Sequence, residues 1–278
     1  MSAHERFDLS GRTALITGGS RGIGRGIAIG LAQHGADVAI VYRSAEREAN
    51  EVVEAITSLG RRAWAERYDL AETDGLADLA ARTWDATGGG HVLINNAGLG
   101  YLEHFNRITP ETWNRTMAVN VDAVFRLSQA MAERMIAGGI QGRIINLSSV
   151  NGLVAEAGLA HYNASKGAVE MLSQSLAIEL GPHGITVNTI CPGIIETEIG
   201  GEFDIDVEAF CQYFKAHVPL GQRFGEVEDC VGAAVLLASR AGAYITGQRI
   251  VIDGGVMCEQ VPRIQFMPRY RNTLTAGD

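Results

Sequence analysis

Short apolar runs alternate with longer amphipathic stretches along most of the chain. The runs Thr13–Thr17, Asp37–Tyr42, Arg62–Arg67, His91–Ile94, Arg143–Leu147, Thr186–Ile190 and Arg249–Ile252 predict strands, each apolar enough to be buried on both faces. Between them, apolar positions recur at helical spacing over about Ile23–His34, Glu46–Leu59, Thr73–Thr87, Glu111–Ala137, Ala160–Leu180 and Glu226–Ser239. Strand and helix in turn are what parallel strands joined by crossover helices require. The pattern therefore predicts an α/β fold, a doubly wound parallel sheet of seven strands with helices on both faces.

Two segments leave this rhythm. Residues 197–220 carry no strand pattern and are rich in Gly, Asp and Glu, which predicts a substrate loop, a lid over the site, with one short helix at about Asp206–His217. The extension 256–278 has aromatic residues and prolines without a period, and two readings stay open: packing on a neighbouring subunit, or fraying. No repeat or low-complexity linker divides the chain, so residues 1–278 are read as a single domain.

Composition narrows the functions. With 46% hydrophobic and 20% charged residues the chain suits a soluble globular protein. No run reaches the ~18 apolar residues of a membrane span, and residues 1–10 are polar, so a cytoplasmic protein without membrane partners is expected. A formal charge of -9 argues against a nucleic-acid surface. Cys191, Cys211, Cys230 and Cys258 lack metal-site or disulfide spacing and are read as buried free thiols, with no metal expected. Small-molecule chemistry is the remaining class.

The first strand runs into Thr17-Gly18-Gly19-Ser20-Arg21-Gly22-Ile23-Gly24, where a helix begins at once. Such a turn offers free N–H groups and a helix dipole to a pyrophosphate, and its glycines permit close backbone approach. Further along stand Asp69-Leu70, Asn95-Asn96-Ala97-Gly98, Asn120, Ser149, Tyr162-x-x-x-Lys166, Pro192-Gly193 with Thr197, and Asp253-Gly254-Gly255. In this order, over about residues 8–255, the set resembles the short-chain dehydrogenase/reductase family. The resemblance implies a Rossmann-type fold and a nicotinamide cofactor held by Gly18, Ser20, Arg21, Gly22, Ile23 and Gly24. It further implies Asp69 at the adenine edge with Leu70 flanking it, Asn96, Ala97 and Gly98 on the adenosine side, and Pro192, Gly193, Ile195 and Thr197 around the nicotinamide.

The second strand ends in Tyr42, where an NAD-preferring site places an acid for the ribose hydroxyls. Arg43 and Arg21 match places where NADP-using relatives carry cations, and a guanidinium meets a phosphate with two charge-assisted bonds; Ser44 adds a hydroxyl. NADP(H) is therefore expected, with NAD(H) at lower preference.

Tyr162 and Lys166 lie four apart on a helical pattern and share a face. A phenol titrates near ~10, and a neighbouring ammonium would lower that value and tune Tyr162 for proton transfer. Lys166 would also hold the cofactor's ribose. Ser149, just past the fifth strand, would bond the reacting oxygen; it is preferred over Ser148 on the family's spacing. By the same resemblance Asn120 holds a water that links Lys166 to solvent.

Asn151, Glu156 and Leu159, with Ser149 and Tyr162, are expected to contact substrate, and His161 and Glu196 to shape the pocket. His161 resembles a feature of some sugar 1-dehydrogenases in the family; a surface histidine without a substrate role is the alternative. The leading expectation is NADPH-dependent reduction of a ketone or 3-oxoacyl group. Oxidation of a sugar or polyol comes second, and a nucleotide sensor without catalysis is a third possibility of a different kind. Family resemblance also implies a homotetramer or homodimer, assembled through the long helices.

Overall fold

Seven strands form one parallel sheet in the order β3-β2-β1-β4-β5-β6-β7. They are β1 (Thr13–Thr17), β2 (Asp37–Tyr42), β3 (Ala63–Arg67), β4 (Val92–Asn95), β5 (Arg143–Leu147), β6 (Thr186–Pro192) and β7 (Arg249–Ile252). The computed structural model describes residues 3–197 and 207–258. The expected loop between 197 and 207 and the extension past 258 lie outside the described residues, as does Asp206, the expected start of the loop's helix.

The helices are α1 (Ala3–Arg6), α2 (Gly22–Gln33), α3 (Glu46–Ser58), α4 (Leu76–Thr87), α5 (Pro110–Met117), α6 (Ala123–Ala137), α7 (Ala160–Leu180), α8 (Val207–His217) and α9 (Val227–Ala238). Alternation along each inner strand divides the core in two. Ala14, Ile16, Val38, Ile40, Ile145 and Leu147 face one way and pack with Ile27 and Leu31 of α2, Val52 and Ile56 of α3, and Leu237 of α9. Leu15, Ala39, Val41, Leu93, Ile144 and Val187 face the other way, against Leu79 of α4 and Leu127 and Met131 of α6. Each Val, Leu, Ile or Met among them contributes roughly 1.5–3 kcal/mol by leaving water. α2 and α9 pack closely because Gly26 and Gly30 present no side chain; a Cβ at either would overlap Val227 or Val231.

Three expectations need correction. β3 and β7 are the sheet's edges and alternate between half-buried and exposed positions, because each has a single strand neighbour. The helix expected over Glu111–Ala137 is broken by a π-turn at Ala118–Asp122 that contains Asn120. Among the cysteines, Cys191 and Cys230 are buried, Cys211 is half-buried and Cys258 is exposed; all are free. No helix among the described residues is long and apolar enough to cross a membrane.

β1 sits at the switch point. From it the chain winds outward to β3, then crosses to β4 on the opposite side. Ligands in such sheets bind beyond the strand C-termini at this reversal, and the turns after β1, β4, β5 and β6 converge there.

Candidate active site

The turn after β1 is built from glycines and backbone. Gly18 and Gly22 adopt positive φ values of 65° and 55°, open to glycine at little cost. A Cβ on Gly24 would overlap the Gly18 carbonyl and the Asn96 side chain, so α2 can start this close to the turn only with glycine there. The α2 N-cap, Arg21, makes no side-chain capping bond, which leaves the first-turn N–H groups to a ligand. Ser20 is buried, and Ile23 packs on the core. Across the turn, a Cβ on Gly22 would stand 3.6 Å from Thr197 Cγ2, so the segment after β6 closes over the same space. Free N–H groups, missing side chains and an enclosing hydroxyl residue fit a dinucleotide pyrophosphate.

Asn96 braces this cradle. Its Nδ2 donates to the Thr17 and Gly18 carbonyls at 2.9 and 3.1 Å, and the Asn96 and Ala97 N–H groups donate to Thr17 Oγ1 at 3.0 and 3.1 Å. At the end of β2, Tyr42 is buried while Arg43 and Ser44 are exposed. Neither Arg43 nor Arg21 has a salt-bridge partner among the described residues. Their charges are felt nearby all the same, Arg43 at the Asp69 carboxyl and Arg21 at Glu48.

β5 and α7 bring the expected catalytic side chains together. Ser149 caps the turn Val150–Gly152, where its Oγ accepts the Asn151 N–H at 3.1 Å and donates to Asn151 Oδ1 at 3.3 Å, and its hydroxyl is near enough to the Tyr162 phenol to lower its pKa. Lys166 is buried one helical turn behind, its Nζ 5.5 Å from the Tyr162 ring centroid and donating to the Leu147 carbonyl at 2.7 Å. Gly98 makes room for it: a Cβ there would lie 3.4 Å from Nζ. Burial pulls Lys166 down to about 8, opposed by Cys191 and Glu170.

The expected lowering of Tyr162 by Lys166 is not what the structure shows. Burial raises the phenol above its ordinary value, the Ser149 hydroxyl lowers it, and Glu156 adds to the rise. The reason is directional: the ammonium is committed to the Leu147 carbonyl, and the desolvated phenolate bears the cost of its charge.

A family model described as enoyl-(acyl carrier protein) reductase matches residues 18–257. An L-rhamnose 1-dehydrogenase (NAD(P)(+)) of Sphingomonas sp. (strain SKA58) is 40% identical over 248 residues, 89% of this chain and 97% of that protein. The chain belongs to the short-chain dehydrogenase/reductase family. It is an oxidoreductase acting between hydroxyl and keto groups. A gluconate 5-dehydrogenase of Gluconobacter oxydans (strain 621H) is 39% identical over 259 residues, 92% of this chain and 98% of that one. Among solved structures, a gluconate 5-dehydrogenase from Burkholderia cenocepacia J2315 in complex with NADP and tartrate superposes with a TM-score of 0.85, at 37% identity over 93% of this chain and 100% of that one.

The other expected residues of this dehydrogenase/reductase take the following places. Asp69 pairs with Arg115 Nη2 at 2.9 Å and accepts the Ala71 N–H at 3.1 Å. Burial raises its carboxyl, but the bonds to Arg115 and Ala71 outweigh this and hold it below the usual range. Leu70 is buried in the core beside α4. Asn120 is fully buried: Oδ1 accepts the Leu99 N–H at 2.8 Å, and Nδ2 donates to the Leu99 carbonyl at 2.8 Å and to Ser165 Oγ at 2.9 Å. Its side chain thus pins the loop after β4 to α7. The Gly193 N–H donates to Ile252 at 2.8 Å beyond Pro192, and Ile195 bridges to Gly225.

On the substrate side, Asn151 Nδ2 donates to Glu156 Oε2 at 3.2 Å and to Asn163 Oδ1 at 3.0 Å, which ties the loop before α7 to the helix; Leu159 is half-buried. His161 is fully buried, stacked on Tyr101 at 6.1 Å with both ring nitrogens unpaired among the described residues, so the surface alternative is overturned. Sequence reasoning missed Arg115, Tyr101, Asn163 and Ser165. Asn163 and Ser165 carried a signal, their places directly after Tyr162 and directly before Lys166; Arg115 and Tyr101 become partners only through the fold.

Proposed function

We propose that this protein is an NADP(H)-dependent dehydrogenase of a polyhydroxylated substrate, a sugar or sugar acid, with NAD(H) accepted less well. The observation that carries the reaction is buried Lys166 one helical turn from Tyr162, its Nζ 5.5 Å from the ring centroid, with the Ser149 hydroxyl beside the phenol. Arg43 and Arg21, both without a carboxylate partner among the described residues, support the 2′-phosphate, as does the bound NADP of the Burkholderia structure. The sugar reading rests on the carboxamides and carboxylate of Asn151, Asn163 and Glu156 near Tyr162, and on the substrates named for the rhamnose and gluconate relatives. The expected ketone or 3-oxoacyl substrate becomes the second reading, supported by a 3-oxoacyl-(acyl-carrier-protein) reductase of Aggregatibacter actinomycetemcomitans that is 34% identical over 88% of this chain.

In this mechanism Ser149 and Tyr162 hold the substrate oxygen, and Tyr162 exchanges its proton with that oxygen. The nicotinamide supplies the hydride chemistry at carbon. Gly18, Ser20, Gly22 and Gly24 bind the pyrophosphate through backbone and hydroxyl, Thr197 closes over it, and Lys166 holds the nicotinamide ribose. Because burial keeps the phenol protonated, the protein is an acid toward a carbonyl at neutral pH. Oxidation of an alcohol requires the phenolate, so its rate should climb as pH rises.

One domain is supported by the single sheet that all described strands share. Exposed Phe125 on α6 and Met171 and Ile178 on α7 support assembly through these helices into a homodimer or homotetramer.

The test is a panel: NADP with L-rhamnose, D-gluconate and other aldoses and aldonates, and NADPH with a 3-oxoacyl thioester, following absorbance of the reduced nicotinamide. Turnover on a sugar or sugar acid with preference for NADP supports the proposal. Turnover confined to the thioester overturns the substrate, and cofactor binding without any turnover would favour a sensor.

A further inference from the structure

Tyr162, Lys166 and Glu170 occupy successive turns along one side of α7. Glu170 is 3% exposed, and a carboxylate there costs several kcal/mol unless it is compensated. Its partners come from two strands: Thr189 Oγ1 donates to Oε2 at 3.1 Å, Cys191 Sγ donates to Oε1 at 3.1 Å, and Arg249 Nε meets Oε2 at 3.0 Å. Both oxygens are occupied, so the carboxylate is fixed. Thr189 and Cys191 lie in β6 immediately before Pro192-Gly193, and Arg249 lies in the edge strand β7. None of these groups touches the reacting oxygen. Glu170 stands one helical turn from Lys166 on the same side of α7, and Lys166 is buried with no salt bridge among the described residues.

We propose that Glu170 is a positioning residue for Lys166: its fixed carboxylate sets the electric field at the buried ammonium, and Arg249 sets how much of that field remains. The idea rests on Lys166 acting beside Tyr162, as read above. The groups facing Lys166 are Tyr162 and Glu170 on α7, the Leu147 carbonyl of β5, Cys191 of β6 and neutral Asn120 behind Gly98. Burial drives Lys166 toward neutrality, and Cys191 and Glu170 oppose it. Cys191 is itself pushed up to about 12 by burial, so its thiol is uncharged across the working range. Glu170 is then the group whose negative charge keeps Lys166 protonated. A hydrophobic side chain would fill the same space without that charge, and buried ion pairs are often no more stabilising than such packing.

The chain has two lysines, Lys166 and Lys215, so Lys166 can be titrated directly. The full-length protein labelled with ¹³C at lysine Cε is followed by NMR across pH without cofactor or substrate, and Lys215→Arg identifies the second signal. Glu170→Gln should move the Lys166 midpoint down by about one pH unit, and Arg249→Met should move it up by a fraction of a unit. A midpoint unmoved in Glu170→Gln, or moved the same way in both variants, overturns the proposal, since a merely structural brace would not produce opposite signs. Should Glu170→Gln fail to fold, Arg249→Met and Glu170→Asp keep the test: no upward shift in Arg249→Met contradicts it. Because the titration needs no turnover, it can fail while Tyr162 remains essential, and the converse also holds.

Discussion

The two ends of the cleft are made of different materials. Around β1 the site is backbone and absence: Gly18 and Gly22 turn with positive φ, Gly24 leaves room for a carbonyl, and the cations Arg21 and Arg43 stand exposed. Around β5, β6 and α7 it is mostly buried side chains held by bonds to their surroundings: Ser149 to Asn151, Lys166 to the Leu147 carbonyl, Asn120 to Leu99 and Ser165, Glu170 to Thr189, Cys191 and Arg249. A phosphate can be met by N–H groups that any sequence with room for them provides. A proton transfer needs particular groups whose ionisation is set by their surroundings, and those surroundings must be built.

The comparison breaks most visibly if a side chain is added at one end or removed at the other. Gly24→Val should overlap the Gly18 carbonyl and Asn96, abolish nucleotide binding by calorimetry and lower the melting temperature. Tolerance of valine there would mean that the turn is not held by close approach. A smaller and more selective effect is expected at Arg43→Ala: the KM for NADP rises about tenfold, as a lost charge-assisted bond implies, while that for NAD stays unchanged. Equal losses for both cofactors would remove the phosphate from the account.

At the other end, Asn120→Ala should cost roughly 1–3 kcal/mol, measured by denaturant unfolding, because it orphans the half-buried Leu99 N–H and carbonyl and the buried Ser165 hydroxyl. It should also lower kcat by loosening the loop beside Lys166. An unchanged midpoint would show that the π-turn does not depend on this amide. The smallest effect concerns neither end. Burial raises the Asp37 carboxyl, but bonds to Arg62 and Arg61 hold it below its ordinary 3.8. Its stabilising contribution is therefore present above 3.8 and lost as pH falls through its lower, folded value. Asp37→Asn should flatten the acid side of the stability curve between 3.8 and that lower value, and an unaltered acid limb would contradict the pairing.

The same contrast explains what the sequence made legible. Strand starts and ends, the glycine turn and the Ser149–Tyr162–Lys166 set are local or evenly spaced, so periodicity and motif order reach them. The half-open edges β3 and β7 were not, because edge position is a property of strand order. The π-turn at Asn120 and the burial of His161 depend on Leu99, Ser165 and Tyr101, which the fold brings in from other elements. The direction of the Tyr162 shift was missed for a related reason. Spacing places an ammonium nearby, but which acceptor it faces and how much water remains are set by Leu147 and by packing.

The central claim is that Tyr162 moves the proton while the turn after β1 binds the nucleotide, two tasks held by separate parts of the cleft. Tyr162→Phe tests it in one preparation, with NADP affinity by fluorescence titration and single-turnover hydride transfer on the substrate the panel identifies. The account predicts NADP affinity within about twofold of the parent protein and hydride transfer slowed by at least ~100-fold across the pH range. Hydride transfer near the parent rate, with the phenol gone, would contradict it.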